Sequence, residues 1–535
     1  MDLALESTNQ RGLYQIYLIL IVIFLPFSTY IIAAGYPYLT NAPVINCQLK
    51  EKPDSPFEQC NMEEFCKDES KYNIKYDYQK SVDNYSLKYN LYCSRGKLCP
   101  FLNSSFFFGA VIGVVICANY PDKIGRLPVL KFLMIINIFA QLNYLFSINF
   151  YHILLIAFLS GFATYCNSVL SLMIVETMDP IWSGLTMSAR SASYGLVGII
   201  LGFYFMLINN LNILLWFNLI ISCAGYYIVQ KYFVESPRWL NSQNMLDEAI
   251  EALRKMAIIN NSLEHFETFL DVNKDILHES KNEIKKVKHE YNIIQIFQLK
   301  SQQYFIYNLM YIWFFITVCF YGNFSALNKN KGNLFLNSIF TYTGEVISEM
   351  CSGILANKFG RVRVTEILSY LGGFAFIISY FIQNNKIFLS FTLFLSSFGF
   401  AGALNLLYIY TNELFPMSIK ALTFGFMYLM SRAGGVAIPL FLNTVYYPII
   451  LGGLSVSCGY FMGKLPETLG KKLLDDVPET IRRYSALSLA EIIPGDLSMI
   501  RESINFGKNS MLVRDKMRLS VRDSTNSLYF ESNKF

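Results

Sequence analysis

The sequence predicts an all-α membrane protein in which twelve transmembrane helices form two six-helix bundles. Three observations carry this. The 535-residue chain is 53% hydrophobic and only 16% charged, where a soluble protein carries about 25% charged residues. Apolar runs close to the roughly 20 residues needed to span a bilayer recur twelve times. One long charged stretch divides them six and six. The 45 Phe and 36 Tyr suit a surface solvated by lipid, with rings at the headgroup level. A net charge of +5 gives no reason to expect a nucleic-acid partner.

The runs of the first half lie at 13–35, 101–119, 129–148, 151–176, 187–208 and 211–230. The first is too long for the apolar region of a cleavable signal, about 7–15 residues. It reads as a membrane helix containing Pro26 and the small cluster Ala33-Ala34-Gly35. The second half repeats the pattern at 304–324, 334–356, 365–383, 386–410, 421–441 and 444–463. The expected bundles are therefore 13–230 and 304–463, after a short polar N-terminus at 1–12. A Glu- and Lys-rich loop at 231–303 joins them, with helical periodicity from Met245 to Met256. A Ser- and Arg-rich tail follows at 464–535.

Five of the 11 Cys (Cys47, Cys60, Cys66, Cys93 and Cys99) crowd a polar loop at 41–100 inside the first bundle. Such crowding predicts disulfides in an oxidising compartment, and an odd number leaves one thiol over. No CxxC or His-bearing spacing suits a metal, so neither metal nor cofactor is expected. With the N-terminus inside, the short inner loops carry Lys123, Arg126, Lys358, Arg361, Arg363 and Lys420, and the tail adds Lys464, Lys471 and Lys472. Lys329, Lys331 and Lys386 dissent. The excess still predicts both termini in the cytosol, with the Cys-bearing loop outside and the plasma membrane as the expected location. Asn84-Tyr-Ser is then a candidate glycosylation sequon; Asn103-Ser-Ser lies too near the membrane.

Motifs narrow the reading. Asn119-Tyr-Pro-Asp122-Lys123-Ile-Gly125-Arg126 follows the second helix, and Gly353-Ile-Leu-Ala-Asn357-Lys358-Phe-Gly360-Arg361 follows the eighth. Both resemble the major facilitator signature G-x-x-x-D-[RK]-x-G-R, at equivalent points of the two halves. Glu235-Ser-Pro-Arg238-Trp239-Leu and Leu465-Pro-Glu467-Thr468-Leu-Gly470, after the sixth and twelfth helices, are similar to sugar porters and organic ion transporters. Asn412-Glu413-Leu-Phe-Pro416, Ser431-Arg432-Ala-Gly434-Gly435 and Tyr311-Ile-Trp313-Phe, with the long Cys-rich loop, resemble the organic cation, organic anion and carnitine carriers. The QQxSG signature of sugar porters is absent. The chain departs from the family pattern between Asp179 and Ser183, where a basic residue is usual, and at Lys420, where Arg is usual.

The resemblance implies a major facilitator fold, transport by alternating access and a small organic ion as substrate. A coupling proton or sodium ion stays open. An ionisable residue at mid-bilayer is expensive and is a functional candidate by default. Glu345, in the eighth helix, matches an acidic cavity position of cation and carnitine carriers. Arg432, in the eleventh, matches a position that is basic in anion and carnitine carriers. One charge of each sign points to a carnitine-like zwitterion, with organic anions next. Trp313, Tyr321 and Tyr342 are candidate cavity aromatics for cation–π contact. Asp122, Lys123, Gly125, Arg126, Glu176, Arg190, Lys358, Gly360, Arg361 and Glu413 are expected to form an inner gate. A structural pairing of Glu345 with Arg432 is the plain alternative. An organic cation or sugar carrier, and a transport-inactive sensor, compete as functions. With four His, three of them in the central loop, no catalytic set assembles in the membrane, so an enzyme is not expected.

Overall fold

The computed structural model describes residues 2–9, 12–50, 56–60, 62–78, 80–178, 180–279, 300–330, 332–415, 417–442 and 444–469. Lys331, Asp179, Pro416, the end of the central loop and nearly all of the tail, with Lys471 and Lys472, lie outside them. Among the described residues there are twelve membrane helices: α1 (Leu13–Leu39), α2 (Cys99–Cys117), α3 (Arg126–Leu145), α4 (Phe150–Thr177), α5 (Pro180–Leu207), α6 (Leu211–Tyr232), α7 (Lys300–Ser325), α8 (Leu334–Phe359), α9 (Arg361–Phe381), α10 (Lys386–Leu414), α11 (Met417–Leu442) and α12 (Tyr447–Gly463). Ten are long and apolar enough to cross a bilayer on those grounds alone. The other two have visible reasons to fall short. Helix α8 carries Glu345 and Glu349, and α12 has 17 residues.

Helix starts follow local chemistry. Of the six helices that begin at the end bearing the Cys-rich loop, α4, α6, α8 and α10 are capped by Asn149, Asn210, Asn333 and Asn385. Each Asn side chain accepts a first-turn N–H. The other two, α2 and α12, carry Pro100 and Pro448 in the first turn, where a missing N–H costs nothing. Outward faces stay apolar, with Phe132, Phe139, Phe217, Phe374 and Phe391 exposed, as lipid contact requires. Within the first bundle, α2 meets α4 so closely that a Cβ on Gly109 would strike the Phe158 carbonyl, and one on Gly161 the Phe106 carbonyl.

The Cys-rich loop adds structure that the sequence did not reveal. It contains an antiparallel sheet of β1 (Ile45–Leu49), β2 (Glu58–Gln59) and β3 (Tyr72–Tyr76), in the order β2-β1-β3. Disulfides join Cys47 to Cys60 and Cys66 to Cys93; Cys99 is the thiol left over, buried beside Ser86. The sequon expectation at Asn84 is corrected. Its side chain is 0% exposed. Its Nδ2 donates to the carbonyls of Tyr38 (2.7 Å) and Asn41 (3.0 Å), and its Oδ1 accepts from Leu87 N. A glycan has no room on an amide spent on tying the loop to α1.

At the opposite end, the amphipathic helices Leu246–Ile259 and Leu263–Glu279 pack Leu253, Met256, Ala257 and Phe266 into one core with Leu5, Tyr14 and Leu18. Asn260 clasps the entry to α1. Its Oδ1 accepts from Tyr14 N (2.8 Å), and its Nδ2 donates to the carbonyls of Thr8 and Asn9.

Candidate functional site

Two matching charge clusters sit at the end opposite the Cys-rich loop. In the first, Gly125 (φ 104°) turns the chain into α3, a conformation open to glycine without penalty. The turn aims Arg126 at Glu176, at the end of α4, through Nη2–Oε1 (2.9 Å) and Nε–Oε2 (3.0 Å). Asp122 adds a pair at 3.0 Å. The guanidinium lies 5.6 Å from the centre of the Trp239 ring, whose Nε1 donates to the Asp122 carbonyl. The second cluster repeats the plan at Gly360 (φ 101°). Arg361 pairs with Glu413 of α10 at 3.2 Å, and Asn357, a neutral acceptor in the place of Asp122, accepts a hydrogen bond from Arg361 Nη1.

The sequence reading missed the carboxylates beneath these turns. Glu235 accepts the free N–H groups of Arg126 (2.9 Å) and Leu127 (3.0 Å); Glu467 accepts those of Arg361 (2.8 Å) and Val362 (3.1 Å). Helix N-termini leave such donors unpaired and favour negative charge. Burial pushes the Glu467 carboxyl upward. The N–H groups of Leu469, Arg361, Val362 and Thr468 outweigh that and hold it below the usual carboxylate range. The signal was present in the sequence as one Glu in each motif that follows the last helix of a half.

Lys123 and Lys358 do not join these clusters. Both are exposed, and among the described residues neither forms an ion pair. Each cluster is also internal to its half. The halves are held together at the loop-bearing end and midway along the helices. Asn103 donates to Ser325 (2.8 Å), Ser104 to the Val436 carbonyl (3.0 Å), Asn328 to Thr40 (2.9 Å) and Tyr342 to the Ala34 carbonyl. Ser168 reaches Tyr428 at 3.5 Å. The Phe324 and Tyr342 rings stack at 4.5 Å, and Phe107 lies 4.4 Å from Tyr321. Together they form an aromatic plug between the central site and the loop-bearing end.

Below this plug the structure gathers unpaired charge. Glu345 is 1% exposed, Glu349 8% and Arg432 5%. Arg432 donates to the hydroxyls of Tyr321 (3.2 Å) and Tyr428, and its guanidinium lies over the Tyr428 ring at 4.5 Å. Arg432 Nε, Arg190 Nε, Glu345 Oε2 and Glu349 Oε2 are all buried without a hydrogen-bond partner. Among the described residues no ion pair joins these four side chains, so Glu345 and Arg432 do not neutralise each other. Tyr30, Tyr321, Tyr408 and Tyr428, from α1, α7, α10 and α11, lie within electrostatic reach of Arg432. Tyr194 of α5 and Tyr321 do the same for Glu345. A ring of tyrosines from both halves thus surrounds charges of both signs.

Two expectations are corrected here. Arg190 does not belong to the Arg126 cluster. It lies within electrostatic reach of Glu349 and Tyr428, because α5 runs beside α8. Trp313 is packing rather than lining. It is 0% exposed, its Nε1 donates to Thr411 (3.0 Å), and Tyr408 covers it edge-on at 4.7 Å. Tyr321 does meet the site. Tyr342 borders it through its ring while its hydroxyl seals the plug.

Among the described residues, twelve helices in two similar halves, with buried charge contributed by both, define a membrane transporter of the major facilitator class. The fold agrees with solved members. The inward-open xylose transporter XylE from E. coli matches with a TM-score of 0.59 at 16% identity, over 88% of this chain and 98% of that one. The human organic anion transporter MFSD10 matches with 0.55 at 13%, over 84% and 100%. The family model "Sugar (and other) transporter" matches residues 64–477, and the chain belongs to that family. Curated relatives are similar along most of their length. Solute carrier family 22 member 21 of Mus musculus is 25% identical, over 76% of this chain and 72% of its own. Organic cation/carnitine transporter 2 of Homo sapiens is 24% identical, over 74% and 71%. Solute carrier family 22 member 6 of Bos taurus is 24% identical, over 74% and 73%. The protein is an integral membrane transporter, with the family and fold of transporters rather than of enzymes.

Proposed function

We propose that this carrier moves small organic ions by alternating access, and that its preferred substrate is a zwitterion of the carnitine type. One observation carries the proposal: Glu345 and Arg432 are both buried, of opposite sign, both within electrostatic reach of Tyr321, and among the described residues not paired with each other. A buried charge without a counter-ion is costly, and a zwitterion supplies one to each. Its carboxylate suits the planar fork of Arg432, and its ammonium suits Glu345 and the tyrosine faces. The names of similar carriers, among them an organic cation/carnitine transporter, agree with this class. Arg190 supports a second reading, an organic anion, because it brings a second cation to the chamber.

In this reading the two halves rock about the chamber, and the Phe324–Tyr342 plug closes its outer side. The Arg126 and Arg361 clusters stiffen the inner end of each half. Both termini lie in the cytosol and the disulfide-bearing loop outside, with the plasma membrane as the site of action. The basic residues Lys123, Arg126, Lys358, Arg361 and Arg363 support this orientation. The dissenting Lys329 is tied to the Leu442 carbonyl that ends α11, which accounts for its place outside.

The test is uptake of labelled carnitine, an aromatic carboxylate and a quaternary ammonium ion into cells expressing wild type, Arg432→Asp or Glu345→Gln. Carnitine flux that Arg432→Asp abolishes, or redirects toward the cation, supports the reading. Wild type that moves none of the three, or variants that match wild type, removes it.

A further inference from the structure

Resting on the zwitterion reading above, we propose that Glu345 trades the cationic group of the substrate for a proton, so that the carrier is a proton–substrate exchanger. The argument begins with what faces this carboxyl. On its own helix stand Glu349, one turn away, and Tyr342. From α5 come Tyr194, the Gly195 N–H, which donates to it, and Arg190 beyond. From α7 comes Tyr321. Arg432 of α11 is held by the Tyr321 and Tyr428 hydroxyls. Tyr30 of α1 and Tyr408 of α10 face Arg432 and Arg190 instead.

Each cation of the chamber therefore has neighbours other than Glu345. Arg190 lies within electrostatic reach of Glu349, and Arg432 has its hydroxyls. Glu345 Oε2, like Glu349 Oε2, has no hydrogen-bond partner. An ionised carboxylate offers about four acceptor sites on its two oxygens, and isolating one at bilayer depth costs several kcal/mol. Two occupants remove that cost, a proton on the carboxylate or the ammonium of a substrate beside it. They exclude each other. A proton makes the group neutral, and a bound cation requires it charged.

The exclusion sets the stoichiometry. The empty carrier changes face with the carboxyl protonated. On the substrate side the O–H bond breaks, the proton leaves to that compartment, and the carboxylate receives the ammonium. On the far side the substrate leaves and a proton from that compartment rejoins the carboxylate. One substrate crosses in one direction and one proton in the other. Arg432 and Arg190 stay charged throughout.

The experiment uses the full chain purified into proteoliposomes, labelled carnitine as probe, and the membrane potential clamped at zero with potassium and valinomycin. An inside-acid gradient of about one pH unit is expected to hold carnitine about tenfold above its outside concentration. A trapped dye should report one proton leaving per carnitine entering. At equal pH on both sides, acidification should raise KM for carnitine and leave kcat little changed. Glu345→Gln, which cannot shed a proton, should lose the response to the gradient. Should that variant fail to fold, carnitine added to wild type in weak buffer must still release one proton per site. Carnitine that binds and crosses without proton release or gradient response, or that follows a sodium gradient instead, overturns the exchange and leaves the zwitterion reading standing. Carnitine that neither binds nor crosses removes both.

Discussion

Gly360→Ala tests the turn that places the second charge cluster. Two costs add. Gly360 has φ 101° and ψ 150°, and a side chain in this essentially glycine-only region costs about 1–3 kcal/mol. The new Cβ would also lie 2.6 Å from Glu467 Oε2, so the carboxylate must withdraw from the Arg361 and Val362 N–H groups, now at 2.8 and 3.1 Å. Charge-assisted bonds of this kind are worth about 1.5–3 kcal/mol each, less where water replaces them, as it partly does at this half-buried group. The total comes to about 3 kcal/mol, roughly a 150-fold shift in the folding equilibrium. The assay is a double-mutant cycle on the detergent-solubilised chain, reading unfolding with a thiol-reactive dye against the buried Cys117, Cys166 and Cys458. With Glu467→Ala in place the clash is gone, and Gly360→Ala should cost only its backbone strain. Non-additivity of at least about 1 kcal/mol is expected. Equal costs with and without Glu467, or a Gly360→Ala variant as stable as one at exposed Lys358, would refute the reasoning.

Two further outcomes follow from the same structure. The Glu467 carboxyl is held below its ordinary value in the folded chain, so its stabilising effect is present above the unfolded value of about 4.3. It is lost as pH falls through the folded value. Wild type should lose stability on acidification below about pH 4.3 more steeply than Glu467→Gln, and the two curves should converge in acid; parallel curves would refute this. Wild type should show no glycosidase-sensitive mass at Asn84, and Asn84→Gln should weaken the loop's attachment to α1, because Asn84 holds the Tyr38 and Asn41 carbonyls. A glycosidase-sensitive mass shift at this residue would contradict the buried placement.

The sequence by itself determined the membrane class, the positions of the helices and the paired Gly-Arg turns. These are properties of short stretches: about 20 apolar residues, an Asn or Pro at a helix start, a glycine where φ is positive. It also singled out Glu345 and Arg432, because a charge within an apolar run stands out without knowledge of its neighbours. What the run cannot say is which way a helix turns its charge, and against what. The tertiary structure moved Arg190 from the Arg126 cluster to Glu349, buried Trp313 behind Tyr408, and spent Asn84 on a helix cap. It also assembled the tyrosine ring from five helices spread over about four hundred residues. Such groupings depend on distances between helices that are far apart in the chain. Glu235 and Glu467 show the same limit. Each was visible as one letter in a motif, and only the fold brings it beneath the open N–H groups of a helix more than a hundred residues earlier.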